Sequence, residues 1–453
     1  MDIHLRLWTI WNNLQSSLWF RPIIAALLAV VMAVGSTRLD SRIVGHELFQ
    51  MAPDNARLIL SAIANSMLTV VALTFSTIMV VLVLASQQFS PRILGNFARD
   101  RVSQNVLSMF IGTFVYSLLV MGGIKDTNIG SFIPALPVII AIILALLSVG
   151  ALIYFIDHIA KSVQVNYIID EIDKKTVAGL HTIFSDPAQN GCRSSQAVTK
   201  FPLSVEACTT VTALKRGYIQ AIDFNELVSI GQEYNIVVHL ERMVGEFVAK
   251  RSILLRIRPQ TSISDDIIER LLDTFEIGPT RTMFQDTLLG LRQLVDMALK
   301  AISPAINDPT TAVSCIDALS NILLQAAPYP DPPAQYCDDR GDVRLVTRPV
   351  TFKAMVDLAI DQIRQYARSE VTVSLRLLEA LAEIAPATSD PQRRDILWRH
   401  ARIISRAVER NILEPVDRQK MNEHLNQLAQ QLGKRPDGVL LTIDEALLKI
   451  ERT

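Results

Sequence analysis

A chain of 453 residues that is 50% hydrophobic and 20% charged carries more apolar material than one soluble core needs, and its mean hydropathy of +0.29 excludes disorder. A formal net charge of -1 lacks the basic footprint of a nucleic-acid binder, so no nucleic-acid partner is expected. Four cysteines, Cys192, Cys208, Cys315 and Cys337, show no C-x-x-C spacing and suggest neither a zinc site nor a disulfide framework.

Three of the four tryptophans, Trp8, Trp11 and Trp19, lie at the start of the chain, where amphipathic indoles favour a membrane–water boundary. Residues 3–18 therefore read as an interfacial helix. Nothing in residues 1–20 has the compact apolar region of a cleavable leader, so this segment is expected to be retained. Charge then divides the chain: residues 1–160 hold 16 charged side chains and residues 161–453 hold 73. Uncharged runs of 34, 23 and 30 residues follow Arg57, Arg101 and Asp126, each able to cross a bilayer as a helix of about 20 residues. A run of 16 over residues 22–37 reaches that length once Trp19, Phe20 and a snorkelling Arg21 are included. Four spans are expected, at about 19–37, 62–86, 104–124 and 132–156, within a transmembrane domain of residues 1–165. An inside N-terminus places eight Lys/Arg of the short connections in the cytoplasm against four outside, which puts both termini and the remaining chain on the cytoplasmic side.

At 100° per residue, Asn65, Thr69, Ala72, Ser76, Val83 and Gln87 of the second span share one narrow face. Such a stripe suits packing between helices, and it also suits a pore lining, with Asn65, Thr69, Ser76 and Gln87 touching water or a small ion or solute. In the third span Ser108 and Gly112 have the small-xxx-small spacing of close helix approach. No span carries a charge at its centre, which argues against proton-coupled transport. The elbow between the second and third spans, opening with Ser86-Gln-Gln-Phe-Ser-Pro-Arg92, is bent by Pro91 and Gly95, and its Arg92, Arg99 and Arg101 suit lipid headgroups or a cytoplasmic pore mouth.

Apolar periodicity continues past the fourth span through Ile168 and Ile172, predicting a helix that leaves the membrane as a stem, followed by a surface loop; together these occupy residues 166–200. Residues 201–262 alternate like short strands around a helix capped by Asp223, a small α/β barrel-like module. The Val244-Gly245-Glu246-Phe247-Val248 turn is similar to that of lipoyl- and biotinyl-type barrels, but no attachment lysine is present, so no cofactor is expected. Residues 263–453 read as a helical domain, interrupted by a Pro- and Asp-rich loop over 326–348. The one sharp break inside its first helices is Ser303-Pro-Ala-Ile-Asn-Asp-Pro-Thr-Thr-Ala312, where Asp308 is placed to cap a helix beginning at Pro309.

That phrase, the preceding Leu291-Arg-Gln-Leu-Val-Asp-Met-Ala-Leu-Lys-Ala-Ile302, Gln285-Asp286 and the elbow motif resemble the domain of unknown function 2254 family of predicted bacterial membrane proteins, over nearly the whole chain. The resemblance implies a multi-pass inner-membrane protein with a large cytoplasmic domain and assigns no reaction. The polar residues of the motif, Asp286, Arg292, Asp296, Ser303, Asn307, Asp308, Thr310 and Thr311, with Pro304 and Pro309, read as a network that braces two helices. No G-x-S-x-G, P-loop, H-E-x-x-H or G-x-G-x-x-G occurs, and the seven histidines are scattered, so no catalytic or metal site is assigned. The expected architecture is a membrane all-α unit of four transmembrane helices with a cytoplasmic α+β and helical domain. Its expected role is that of a channel-like homo-oligomer, with a non-conducting scaffold or sensor as the alternative and an enzyme using residues 303–311 as the third reading.

Overall fold

The computed structural model describes residues 19–43, 53–88, 100–127, 130–132, 135–184, 208–258 and 264–443. The expected interfacial helix over 3–18, the surface loop after 184, Arg92 and Arg99 lie outside these residues. The chain divides into two compact units, Met1–Tyr167 and Ile168–Thr453.

In the first unit, four helices among the described residues are long and apolar enough to cross a membrane: α1 (Phe20–Ile43), α2 (Pro53–Gln88), α3 (Arg101–Gly123) and α4 (Ala135–Ser162). A short hairpin of β1 (Lys125–Thr127) and β2 (Gly130–Phe132) joins the last two. α3 is the centre of the bundle. It buries 44% of its membrane window against 22% for each of the others, and α1, α2 and α4 all pack on it. Its approach to α1 is close because Ala25, Ala29, Ala33 and Ser36 of α1 are small, and Gly112 lies against the Ala25 backbone, as the small-residue spacing predicts. Polar side chains fasten the interior. The Tyr116 hydroxyl lies 3.0 Å from Ser36 Oγ and donates to the Pro137 carbonyl at 3.2 Å, while Thr113 and Ser148 hydroxyls meet at 3.2 Å between α3 and α4. Arg21 donates to Asn105 at one end of the bundle, and Arg57 donates to the Ile124 carbonyl at the other. Asp100 caps α3 through the amides of Val102 and Ser103 and meets His158 Nε2 of α4 at 3.0 Å.

Contrary to the expectation from periodicity, the stem does not continue the fourth apolar helix. α4 stops at Ser162 and α5 (Val165–Phe184) restarts after a turn in which Gln164 N–H donates to the Lys161 carbonyl.

Among the described residues the second unit contains two sheets. One has five strands in the order β3 (Thr209–Thr212), β7 (Ile253–Arg258), β5 (Val237–Leu240), β10 (Val343–Val346) and β9 (Gln335–Cys337). The other places β4 (Gly217–Ile222) between β6 (Phe247–Val248) and β8 (Phe275–Gly278). With α6 (Phe224–Glu233), capped by Asp223, and α7 (Asp265–Asp273), they enclose a core that includes Ile219, Leu227, Val238, Leu254, Ile257 and Leu345. Two expectations are corrected here. The loop expected over 326–348 contains β9 and β10, and β10 pairs in parallel with β5, completing the sheet from about a hundred residues away. The stretch expected to be helical before Phe284 contains β8. Asp338 accepts the amides of Arg340 and Asp342 and the Arg344 guanidinium at 2.6 Å. Cys337 is disulfide-bonded, contrary to the expectation from spacing, whereas Cys208 and Cys315 are free.

The helical part comprises α8 (Thr287–Ala301), α9 (Pro309–Ala326), α10 (Phe352–Tyr366), α11 (Val371–Ile384), α12 (Pro391–Asn411) and α13 (Pro415–Leu432). α5 seats on it by small and polar contacts: Asn321 donates to Asp173 at 2.7 Å, and Gly290 leaves room for Thr176, whose Oγ1 would lie 1.9 Å from any Cβ there. Burial raises the Asp173 carboxyl above the usual range, opposed by that hydrogen bond.

Candidate functional site

α2 is 36 residues long, about 54 Å, so it exceeds the roughly 30 Å hydrocarbon thickness. The face that packs on its own bundle carries Ala56, Leu60, Met67, Thr74, Ile78 and Val81. Asn65, Thr69, Ala72, Ser76, Val83 and Gln87 all lie on the opposite, exposed face. Helical geometry makes the separation complete: the two sets differ by about half a turn. Local bonds satisfy some of the polar atoms outside the bundle. Thr69 Oγ1 donates to the Asn65 carbonyl at 3.0 Å and Thr77 Oγ1 to the Leu73 carbonyl at 2.9 Å, the back-bonding that lets hydroxyls face lipid at low cost. Among the described residues the Asn65 amide reaches only Ser61 Oγ, at 3.5 Å. It is the side chain whose exposure to hydrocarbon is costly. Arg101, the described member of the basic elbow, is the exposed first residue of α3.

The motif residues of the second unit do not converge on one point. Asp286 and Asp308 stand at opposite ends of α8, whose 15 residues span about 22 Å, too far for two groups to act on one reacting atom. Asp286 is 5% exposed and does three things at once. It caps α8 by accepting from the Leu289 amide at 3.2 Å, it takes both Arg281 Nε (2.7 Å) and a terminal Arg281 nitrogen (2.8 Å), and it presses on Gly245. Gly245 has φ +85°, and a Cβ there would sit 2.4 Å from Asp286 Oδ2. Gln285 beside it imitates a strand, accepting from the Ile222 amide and donating to the Ile222 carbonyl. Sequence reasoning missed this lock between the β module and α8, because nothing in residue spacing announces that Gly245 and Arg281 meet at Asp286.

At the other end, the chain turns between α8 and α9 exactly where Pro304 and Pro309 break the periodicity. Ser303 Oγ donates to the Lys300 carbonyl, and Asn307 takes φ +51°, a left-handed conformation that asparagine tolerates better than most residues. Asp308 then caps α9, accepting the Thr311 amide at 3.0 Å and the Thr311 hydroxyl at 2.5 Å. Those donors hold its carboxyl below the usual range. Pro304, Asn307 and Thr310 are exposed, and Arg292 on α8 donates to Gln362 of α10 at 2.6 Å. Replacing Asp308 with alanine is expected to lower stability by about 0.5–2 kcal/mol in thermal unfolding at neutral pH. Because the carboxyl is lowered in the fold, this difference persists above the ordinary carboxylate range and vanishes as acid protonates Asp308.

A family model described as predicted membrane protein (DUF2254) matches residues 15–383, from ahead of α1 to the last turn of α11. The chain belongs to this family. Among its relatives, uncharacterized proteins of Mycobacterium tuberculosis and Mycobacterium bovis are 30% identical over 426 residues, covering 90% of this chain and 79% of theirs. No solved structure matches. The four apolar helices agree with the family's description, and as a DUF2254 membrane protein the chain contacts the lipid bilayer.

Proposed function

We propose that this DUF2254 protein works as a homo-oligomer in the bacterial inner membrane, in which the Asn65–Gln87 face of α2 lines a water-filled axis between copies. The observation that carries this reading is the position of Asn65. Its amide lies outside the monomer's own packing and has only a long local contact, so lipid leaves it unsatisfied, whereas water or a neighbouring copy satisfies it. A closed ring would bring one such helix per subunit to a shared axis, with Thr69, Ser76 and Gln87 above and below. Arg92, Arg99 and Arg101 would stand at its mouth.

Cysteines placed singly at Asn65, Thr69 and Ser76 are expected to react with small aqueous thiol reagents in the reconstituted oligomer, and Ser76→Leu to reduce solute flux. Unreactive cysteines in an intact oligomer would favour a scaffold or sensor whose α2 face is packed dry. An enzyme acting at residues 303–311 receives no support from a turn whose carboxylate is engaged in capping.

The eight-to-four distribution of Lys and Arg in the short connections supports a cytoplasmic second unit. The Cys337 disulfide points the other way, since disulfides persist in oxidising compartments. A cysteine substituted for the exposed Arg216 is expected to resist an impermeant maleimide added to intact cells; labelling there would place the unit outside.

A further inference from the structure

α12 holds six arginines and two carboxylates in 21 residues, in a chain whose formal net charge is -1. Arg393 is buried, donating to the Ala327 carbonyl at 2.8 Å and to Asp331 at 2.7 Å, and Arg394 donates to the Thr388 carbonyl. The other four, Arg399, Arg402, Arg406 and Arg410, recur at i, i+3, i+7 and i+11. On a helix that spacing forms one row about 16 Å long. All four are exposed, opposite the buried face of Leu397, Ala401, Ile404 and Val408.

The row is not neutralised from within. Arg399 reaches Asp357, and Arg406 donates to the Arg402 carbonyl, but among the described residues Arg402, Arg406 and Arg410 pair with no carboxylate. The two acids of α12 lie on this same side of the helix, but each is engaged by another cation, Asp395 by Lys434 and Glu409 by Arg418. The segment after α13 lies along α12, where Ser405 donates to the Val439 carbonyl; it adds the exposed Arg435 and one exposed acid, Asp437.

We propose that this face of α12 docks on anionic phospholipid headgroups. A row of like charges repels itself unless a polyanion lies along it, and the guanidinium fork matches phosphate oxygens in pairs. Half-buried Ile396 and Ile403 flank the arginines, the mixture of cation and aliphatic surface that suits the headgroup boundary. The four apolar helices keep a bilayer permanently at high effective concentration, whereas the chain's overall charge disfavours nucleic acid. The site does not depend on what the α2 face does.

The test uses the full chain in nanodiscs of phosphatidylcholine with or without phosphatidylglycerol, with arginine modification by phenylglyoxal followed peptide by peptide. With phosphatidylglycerol at low salt, Arg402, Arg406 and Arg410 are expected to react about fivefold more slowly, while exposed Arg216, Arg251 and Arg340 react at unchanged rates. Added salt should erase the protection. Equal rates in both lipids overturn the proposal. So does protection that ignores lipid charge and is lost when the oligomer is dissociated, which would assign the row to a second copy, for instance to the acidic row of Asp266, Glu269 and Asp273 on α7.

Discussion

Asp286→Ala is expected to lower the stability of the second unit strongly, by about 2–4 kcal/mol. The substitution removes the cap of α8 and leaves a part-buried Arg281 guanidinium without its paired acceptor, next to a Gly245 turn that no longer has anything to press on. Most of the loss comes from the stranded cation, because desolvated charge without a partner costs more than a missing bond. Asp286→Asn separates the effects: its amide oxygen still caps the helix but cannot balance Arg281, so its denaturation midpoint should fall between those of wild type and alanine. An alanine variant as stable as wild type would show that α8 and the β module are held together by apolar packing alone.

Tyr116→Ala is expected to do comparable harm in the membrane unit, about 3–5 kcal/mol in detergent-titrated unfolding. Tyr116 is fully buried on the central helix, and its hydroxyl bridges Ser36 of α1 and the Pro137 carbonyl of α4. Truncation opens a cavity where three helices meet and removes both hydrogen bonds. Tyr116→Phe keeps the ring and should cost only about 1 kcal/mol, since membrane hydrogen bonds contribute modestly. If the phenylalanine variant were as unstable as alanine, the hydroxyl rather than the volume would be what joins the helices.

The four apolar helices were legible because charge is absent over runs that match bilayer thickness, and the helices run beyond the expected bounds. α2 begins at Pro53, well before the expected 62, since Pro fits the first turn of a helix and Asp54 and Arg57 are tolerated beyond the hydrocarbon edge. The Asp308 cap was legible because Asp-Pro-x-Thr writes a helix start locally. β9 and β10 were not: their Pro- and Asp-rich surroundings read as loop, and what makes them strands is the exposed edge of β5, which no local pattern reveals. The stripe of α2 could be read as a stripe but not as inward or outward, because periodicity fixes which residues share a face and leaves open what the face meets. The arginine row of α12 was present as spacing and went unnoticed among the other amphipathic helices.

The central place of α3 sets an order on biosynthesis. α1 and α2 lean chiefly on α3 and α4 and little on each other, yet they leave the ribosome first. Until residues 101–123 have been made and inserted, two apolar helices wait in the lipid with their small and polar faces uncovered, Ser36 and Thr74 among them. The third span is thus the step at which the membrane half of the protein stops being separate helices and becomes one body, and any delay there leaves the nascent chain open to capture by other proteins in the bilayer.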